Sequence, residues 1–135
     1  MWTSIFEFII MYGTLKDLEV FKQATEQAMK IFEISKSFPV EEKYSLTDQI
    51  RRSSRSVCAN LSEAYRKRQY PAHFISKISD SDMENTETQT WFYFAYKCKY
   101  INLETFNILI EKSQSIGRIL NYMMNNPQKF QQKSK

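Results

Sequence analysis

Only five residues in this chain of 135 readily interrupt a helix: Gly13, Pro39, Pro71, Gly117 and Pro127. An all-β domain places turn signals roughly every 8–12 residues and draws on Gly and Pro for many of them. So sparse a supply confines the chain to long helices with short links. The apolar residues between the breaks recur at helical spacing.

The first segment follows Thr14. T-L-K-D (Thr14 to Asp17) resembles a capping box with Asp in place of Glu. Leu18, Phe21, Thr25, Ala28, Phe32 and Ser35 then predict one buried face. Phe38-Pro39 ends the segment, because proline disfavours a helical residue before it. The second starts near S-L-T-D (Ser45 to Asp48), a second capping-box-like stretch. Leu46, Ile50, Val57, Leu61 and Ala64 fall within about 60° of arc and predict its core stripe. It is expected to end near Gln69, with Pro71 in the first turn of the next helix.

The third segment runs from about Ala72 to Cys98, with Phe74, Ile78, Phe92 and Tyr96 on one side. Asn85 and Thr88 occupy inward positions, so a buried polar layer is expected, with Asn60 as a partner. The fourth starts at Asn102, a good N-cap. Leu103, Phe106, Ile110, Ser113, Gly117, Leu120 and Met124 predict its inner stripe, and Pro127 ends it.

These segments predict an all-α, up-down-up-down antiparallel four-helix bundle over residues 14–126. A flexible basic tail is expected over 127–135. Residues 1–13 form an apolar extension whose Trp2, Ile5, Phe6, Phe8, Ile9 and Ile10 do not suit a solvated arm. Either they pack on the bundle or a neighbour, or translation begins at Met11.

Several function classes drop out. The start has no basic n-region and no small-residue cleavage site, so no secretory signal is expected. No stretch reaches the roughly 18 apolar residues of a membrane span. The expectation is a cytoplasmic protein. Cys58 and Cys98 lack a C-x-x-C pattern and read as reduced thiols. Asp80, Asp82 and Glu84 alternate on a helix and point about 200° apart, so they do not converge on a metal. His73 is the only histidine. With no E-x-x-H motif, glycine-rich phosphate loop or triad, the chain is expected to be no enzyme and to need no cofactor.

Net charge is +4, and its location matters more than its size. Between residues 51 and 68, Arg51, Arg52, Arg55, Arg66, Lys67 and Arg68 stand against Glu63 alone. The rest of the chain is close to neutral. Arg51, Arg52, Arg55 and Arg66 lie on the side opposite the core stripe, along with the small Ala59 and Ser62. The simplest account is a solvated face. Arginine also makes fixed contacts to phosphate or carboxylate, which points to a nucleic-acid surface or an oligomer contact. If the second and third helices form a hairpin at Tyr70-Pro71, facing positions have numbers adding to about 141. Arg52 or Arg55 then reaches Glu84 or Glu87, within a subunit or across an interface. The ten Phe and eight Tyr could stack bases, but at helical spacing they read first as core and interface.

The sequence resembles the four-helix-bundle family of proteins encoded by intervening sequences in bacterial 23S rRNA genes, also described as ribosomal-protein-like. The match spans about Leu18 to Asn126. It includes Phe38-Pro39 with Glu42, Leu46, Gln49-Ile50-Arg51-Arg52, then Ser56, Asn60 and Glu63. Tyr70 to Phe74, Ser76 to Asp80 and Glu84 to Trp91 resemble one branch of it. The resemblance implies a homopentameric ring. It also implies kinship with the accessory protein of diversity-generating retroelements, a basic pentamer that binds nucleic acid and a reverse transcriptase. Cys58 and Ala64 stand where many members have proline and glycine, and Lys99 where a helix-ending glycine is usual. The last predicts a less comfortable turn. Residues 1–10 lie outside the family pattern, which favours a start at Met11.

The expected function is therefore non-enzymatic: a homo-oligomer binding RNA or DNA through Arg51, Arg52, Arg55, Arg66, Lys67 and Arg68. Asn60, Glu63, Glu84 and Glu87 are expected as structural or interface polar residues. The alternative is a scaffold whose arginines close the oligomer on Glu84 and Glu87 and which recruits a protein partner. Within the basic stretch, Arg51, Arg52 and Asn60 read first as structural, and Arg66-Lys67-Arg68 as the better phosphate contacts.

Overall fold

A computed structural model describes residues 18–131. The T-L-K-D stretch, the apolar extension and the end of the tail lie outside the described residues. Four helices make up the fold: α1 (Glu19–Ser35), α2 (Leu46–Arg66), α3 (Pro71–Lys97) and α4 (Leu103–Asn125). Each packs on its neighbours in sequence, and α1 also packs on α4. This is the all-α four-helix bundle that the periodicity predicts.

Proline and side-chain chemistry set the helix ends. Pro71 opens α3, where its missing N–H removes no helical bond. Asn102 caps α4, its Oδ1 accepting from the Thr105 N–H at 2.8 Å. Ser45 does not cap α2 as its sequence suggests. Its hydroxyl donates to Glu42 at 2.6 Å, and the Leu46 N–H donates to the same Glu42 oxygen at 3.3 Å. A carboxylate is the stronger acceptor, and the positive end of the helix favours it. At the end of α3, the Lys99 N–H bonds the Tyr96 carbonyl and the Tyr100 N–H bonds the Ala95 carbonyl, both at 2.9 Å. This is a Schellman turn, and Lys99 holds the left-handed position at φ 65°. The strain expected of a lysine there is present.

The core divides into two apolar halves. One gathers Val20, Ala24, Val57, Leu61, Phe74, Ile78, Ile116 and Leu120. The other gathers Ile31, Phe38, Leu46, Ile50, Phe92, Ile101 and Leu109. A buried polar layer separates them. Asn85 donates to the Ser113 carbonyl at 2.9 Å and accepts from the Ser113 hydroxyl at 2.9 Å. Gln27 reaches the same Asn85 oxygen at 3.4 Å. Thr88 donates to Ser53 at 2.8 Å, and Ser81 to the Val57 carbonyl at 2.8 Å. The layer is where Asn85 and Thr88 predict it, but Asn60 is not in it. Asn60 instead donates to Ser56 on its own helix at 2.9 Å.

The α2 stripe is buried throughout, as expected. On α1 the buried set is Val20, Ala24, Gln27, Ala28, Ile31 and Ser35. The helix is turned away from the predicted face, leaving Thr25 exposed and Phe21 and Phe32 half-buried. On α4 the buried set is Leu109, Ser113, Ile116, Leu120 and Met123, again turned from the predicted stripe. Tyr96 is also half-buried, its ring tilted against Phe106. The α1 rotation serves the polar layer, because Gln27 must meet Asn85, whereas Ser113 meets Asn85 from within the predicted α4 stripe. The tail is not free from residue 127. Residues 127–130 form a 3-10 turn, and Phe130 stacks on Phe74 with ring centroids 5.8 Å apart. Phe130 is half-buried by covering that ring.

Candidate nucleic-acid interface

The hairpin of α2 and α3 has the register that Pro71 implies. Ser53 meets Thr88, and Glu63 meets Lys77 at 3.5 Å. That register brings Arg52 to both glutamates. Its Nη2 lies 2.9 Å from Glu87, and its Nη1 lies 3.5 Å from Glu84. Arg52 also donates to Gln49. The contact closes within the chain.

This triad shifts its own charges. Burial works against the Arg52 charge, but the bond to Glu87 and the two carboxylates hold the guanidinium above its ordinary value. Burial, aided by the neighbouring Glu87, pushes the Glu84 carboxyl up. Hydrogen bonding to Glu84, then Arg52, holds Glu87 below the usual carboxylate range.

Arg51 and Arg55 lie against α1. The Arg51 Nε donates to the buried Ser35 hydroxyl at 2.7 Å. Its guanidinium carbon stands 4.9 Å from the centroid of the Phe32 ring, and that of Arg55 stands 5.7 Å from it. The rotation of α1 puts Phe32 there, and both cations gain from its π-face. Arg55 has no carboxylate partner among the described residues and remains exposed. An open groove of about 600 Å³ runs beside these arginines, with Lys43 and the exposed Tyr44 on its rim. Sequence reasoning missed those two, which enter through the 3-10 turn before α2.

The end of α2 differs. Arg66 and Lys67 are exposed, and neither forms an ion pair among the described residues. The Lys67 ammonium lies 5.8 Å over Tyr70. Arg68 stacks 4.1 Å over Tyr65 and donates to the Tyr65 carbonyl at 2.8 Å. A second groove of about 260 Å³ opens between this end of α2 and the start of α3. Glu63, Arg66, Lys67, His73, Ser76 and Lys77 line it. His73, Ser76 and Lys77 were not among the expected site residues. The hairpin register was the signal for them, since it sets the first turns of α3 against the last turns of α2.

So the six basic candidates separate by geometry. Arg51 and Arg52 are engaged within the fold. Arg55, Arg66 and Lys67 present charge outward, and Arg68 is held in place by its own backbone contact. Arg55 and Arg66 lie on one line of α2, about 16 Å apart along its axis. Glu63 answers Lys77, and Asn60 answers its own helix.

Comparison with known proteins places this geometry. The profile of the 23S rRNA-intervening sequence proteins matches residues 16–122. No curated protein matches the sequence. Among solved structures, the chain is similar to a protein of unknown function from the S23 ribosomal protein family of Bacteroides thetaiotaomicron VPI-5482. Identity is 29%, TM-score 0.72, and the match covers 78% of this chain and 95% of that one. The profile spans all of α1, α2 and α3 and most of α4, so the chain belongs to the 23S rRNA-intervening sequence protein family.

Proposed function

We propose that this protein is a non-enzymatic, homo-oligomeric helical bundle that binds nucleic acid, RNA foremost, through the outer basic side of α2. One observation carries the reading: Arg66 and Lys67 stand exposed at the end of α2 with no carboxylate partner among the described residues. Arg52, on the same helix, has two. A cation left unpaired beside others of its sign is the footprint of a phosphate contact. Arg55 and Arg68 extend the patch. Each copy supplies a weak patch, and symmetry multiplies it.

The test is electrophoretic binding of RNA at rising salt. About three phosphate contacts per subunit give a log–log slope near −2 for a single strand. Binding that ignores salt, or none at about 50 mM salt, overturns the reading.

A scaffold recruiting a protein partner is the second reading. Tyr93 and Phe94 favour it: both rings are about half-exposed and in mutual contact, and Phe94 also meets Trp91. Within the chain Arg52 holds Glu84 and Glu87, so an arginine closure between subunits would draw on a contact that the single chain also makes. Light scattering on Arg52→Ala separates the two. Intact assembly agrees with the first reading, and dissociation supports the scaffold.

A further inference from the structure

We infer that the α2–α3 tip selects single-stranded over duplex nucleic acid, with an unpaired base stacking on Tyr70 while Arg66 and Lys67 hold the adjoining phosphates. The inference rests on the nucleic-acid reading above and assigns its substrate class.

Cations and aromatic rings alternate at this tip. Arg68 lies on Tyr65, Lys67 lies on Tyr70, and Tyr70 meets His73 edge-on with centroids 6.3 Å apart. Tyr70 is 60% exposed, although it is a large ring in the N-cap position of α3 and makes no side-chain cap. Contact with phosphates alone gives such a ring nothing to do. A duplex keeps its base faces stacked inside and offers the tip only its backbone. A single strand offers a free π-face beside each phosphate, and rings set among cations are how proteins hold one.

Charge agrees. The carboxylates nearest the groove, Glu63 and Asp80, both face Lys77, at 3.5 and 3.6 Å. Lys77 answers one of these two charges, and Arg66, Lys67 and Arg68 outweigh the other, leaving the tip with a net charge of +2 beside Tyr70. The groove is smaller than the cavities that enclose drug-sized ligands, so it suits a short piece of strand.

Fluorescence anisotropy of the full chain tests this, using a labelled oligouridylate alone or annealed to oligoadenylate. The single strand is expected to bind at least tenfold tighter. Tyr70→Ala is expected to weaken single-strand binding roughly tenfold and to leave the duplex within about twofold. Tyr70→Phe, which keeps the ring, is expected to retain binding. Circular dichroism melting confirms that each variant folds. Equal affinity for both probes overturns the inference and leaves the nucleic-acid reading standing. Single-strand preference untouched by Tyr70→Ala overturns the assignment to this tip. Binding to neither probe removes the nucleic-acid reading and the inference with it.

Discussion

Arg51 and Arg52, in the first half of α2, direct their donors to Ser35, Glu84 and Glu87 of the same chain. Arg66 and Lys67, at the other end, meet no carboxylate among the described residues. Identical chemistry does two jobs because the surroundings differ. Near the first pair, α1 supplies a buried hydroxyl and a ring, and α3 supplies two glutamates. Near the second, the opposing turns of α3 offer His73, Ser76 and Lys77. The bundle end beside Arg51 is further tied by Glu42, which accepts from Ser45, Leu46 and Tyr100. The Ser45 and Tyr100 hydroxyls hold the Glu42 carboxyl below its usual range. In return Tyr100 is pushed up to about 12. One end of the bundle is cross-linked by polar contacts, while the other presents charge.

The largest expected effect breaks this contrast at the tip. Reversing both tip charges, Arg66→Glu with Lys67→Glu, is expected to reduce RNA affinity on the order of 100-fold at low salt. The thermal midpoint should fall by only a few degrees, since the losses are one Lys67–Tyr70 contact and a favourable charge in the last turn of α2. Gel-shift titration and a melting curve check the two halves of that statement.

Next comes the polar layer, which sets how α1 is turned. Asn85→Ala leaves Gln27 and the Ser113 hydroxyl and carbonyl short of a buried partner. It should lower unfolding free energy by about 2 kcal/mol in a urea titration. RNA binding by the remaining folded protein should hold, because the tip does not depend on the layer.

Arg52→Ala is expected to lower stability by about 0.5–1 kcal/mol, since the pair it breaks is partly exposed. RNA affinity should change by less than about twofold. Acidification sharpens the same point by its sign. Glu87 is held below its ordinary 4.5, so its contribution is complete above that pH and is lost as pH falls through the folded value. Glu84 is raised, so it opposes folding when charged and recovers stability on protonation. The gap between wild type and Arg52→Ala should therefore narrow as urea titrations move from neutral pH to below 4.5.

An effect of the same small size, but of opposite sign, lies at the tied end. Lys99→Gly removes the cost of a left-handed lysine and should stabilise the fold by about 0.5–1 kcal/mol. A rise in thermal midpoint checks it.

Much of this was legible in the sequence, for identifiable reasons. The α2 stripe reads cleanly because its apolar residues form one narrow set against an arginine-rich back. The hairpin register reads from Pro71, and Thr88 meets Ser53 accordingly. α1 and α4 mislead because each carries two candidate stripes. On α1 the larger Phe21 and Phe32 compete with Val20, Ala24 and Ile31, and the small residues sit inside. Nothing local shows that Gln27 belongs to the core, since only Asn85 across the bundle makes it so. The basic candidates were legible as a group. Their division was legible in outline, with Arg51 and Arg52 read as structural and Arg66 to Arg68 as phosphate contacts, but the seats of Arg51 and Arg55 against Phe32 depend on the turned α1.

The most direct test of the divided helix is the salt dependence of single-strand RNA binding in wild type, Arg52→Ala and the double variant Arg66→Ala with Lys67→Ala. The account predicts that Arg52→Ala keeps the wild-type slope while the tip variant flattens it by about 1.4, or 0.7 for each lost cation. A slope that flattens in Arg52→Ala and holds in the tip variant would contradict it.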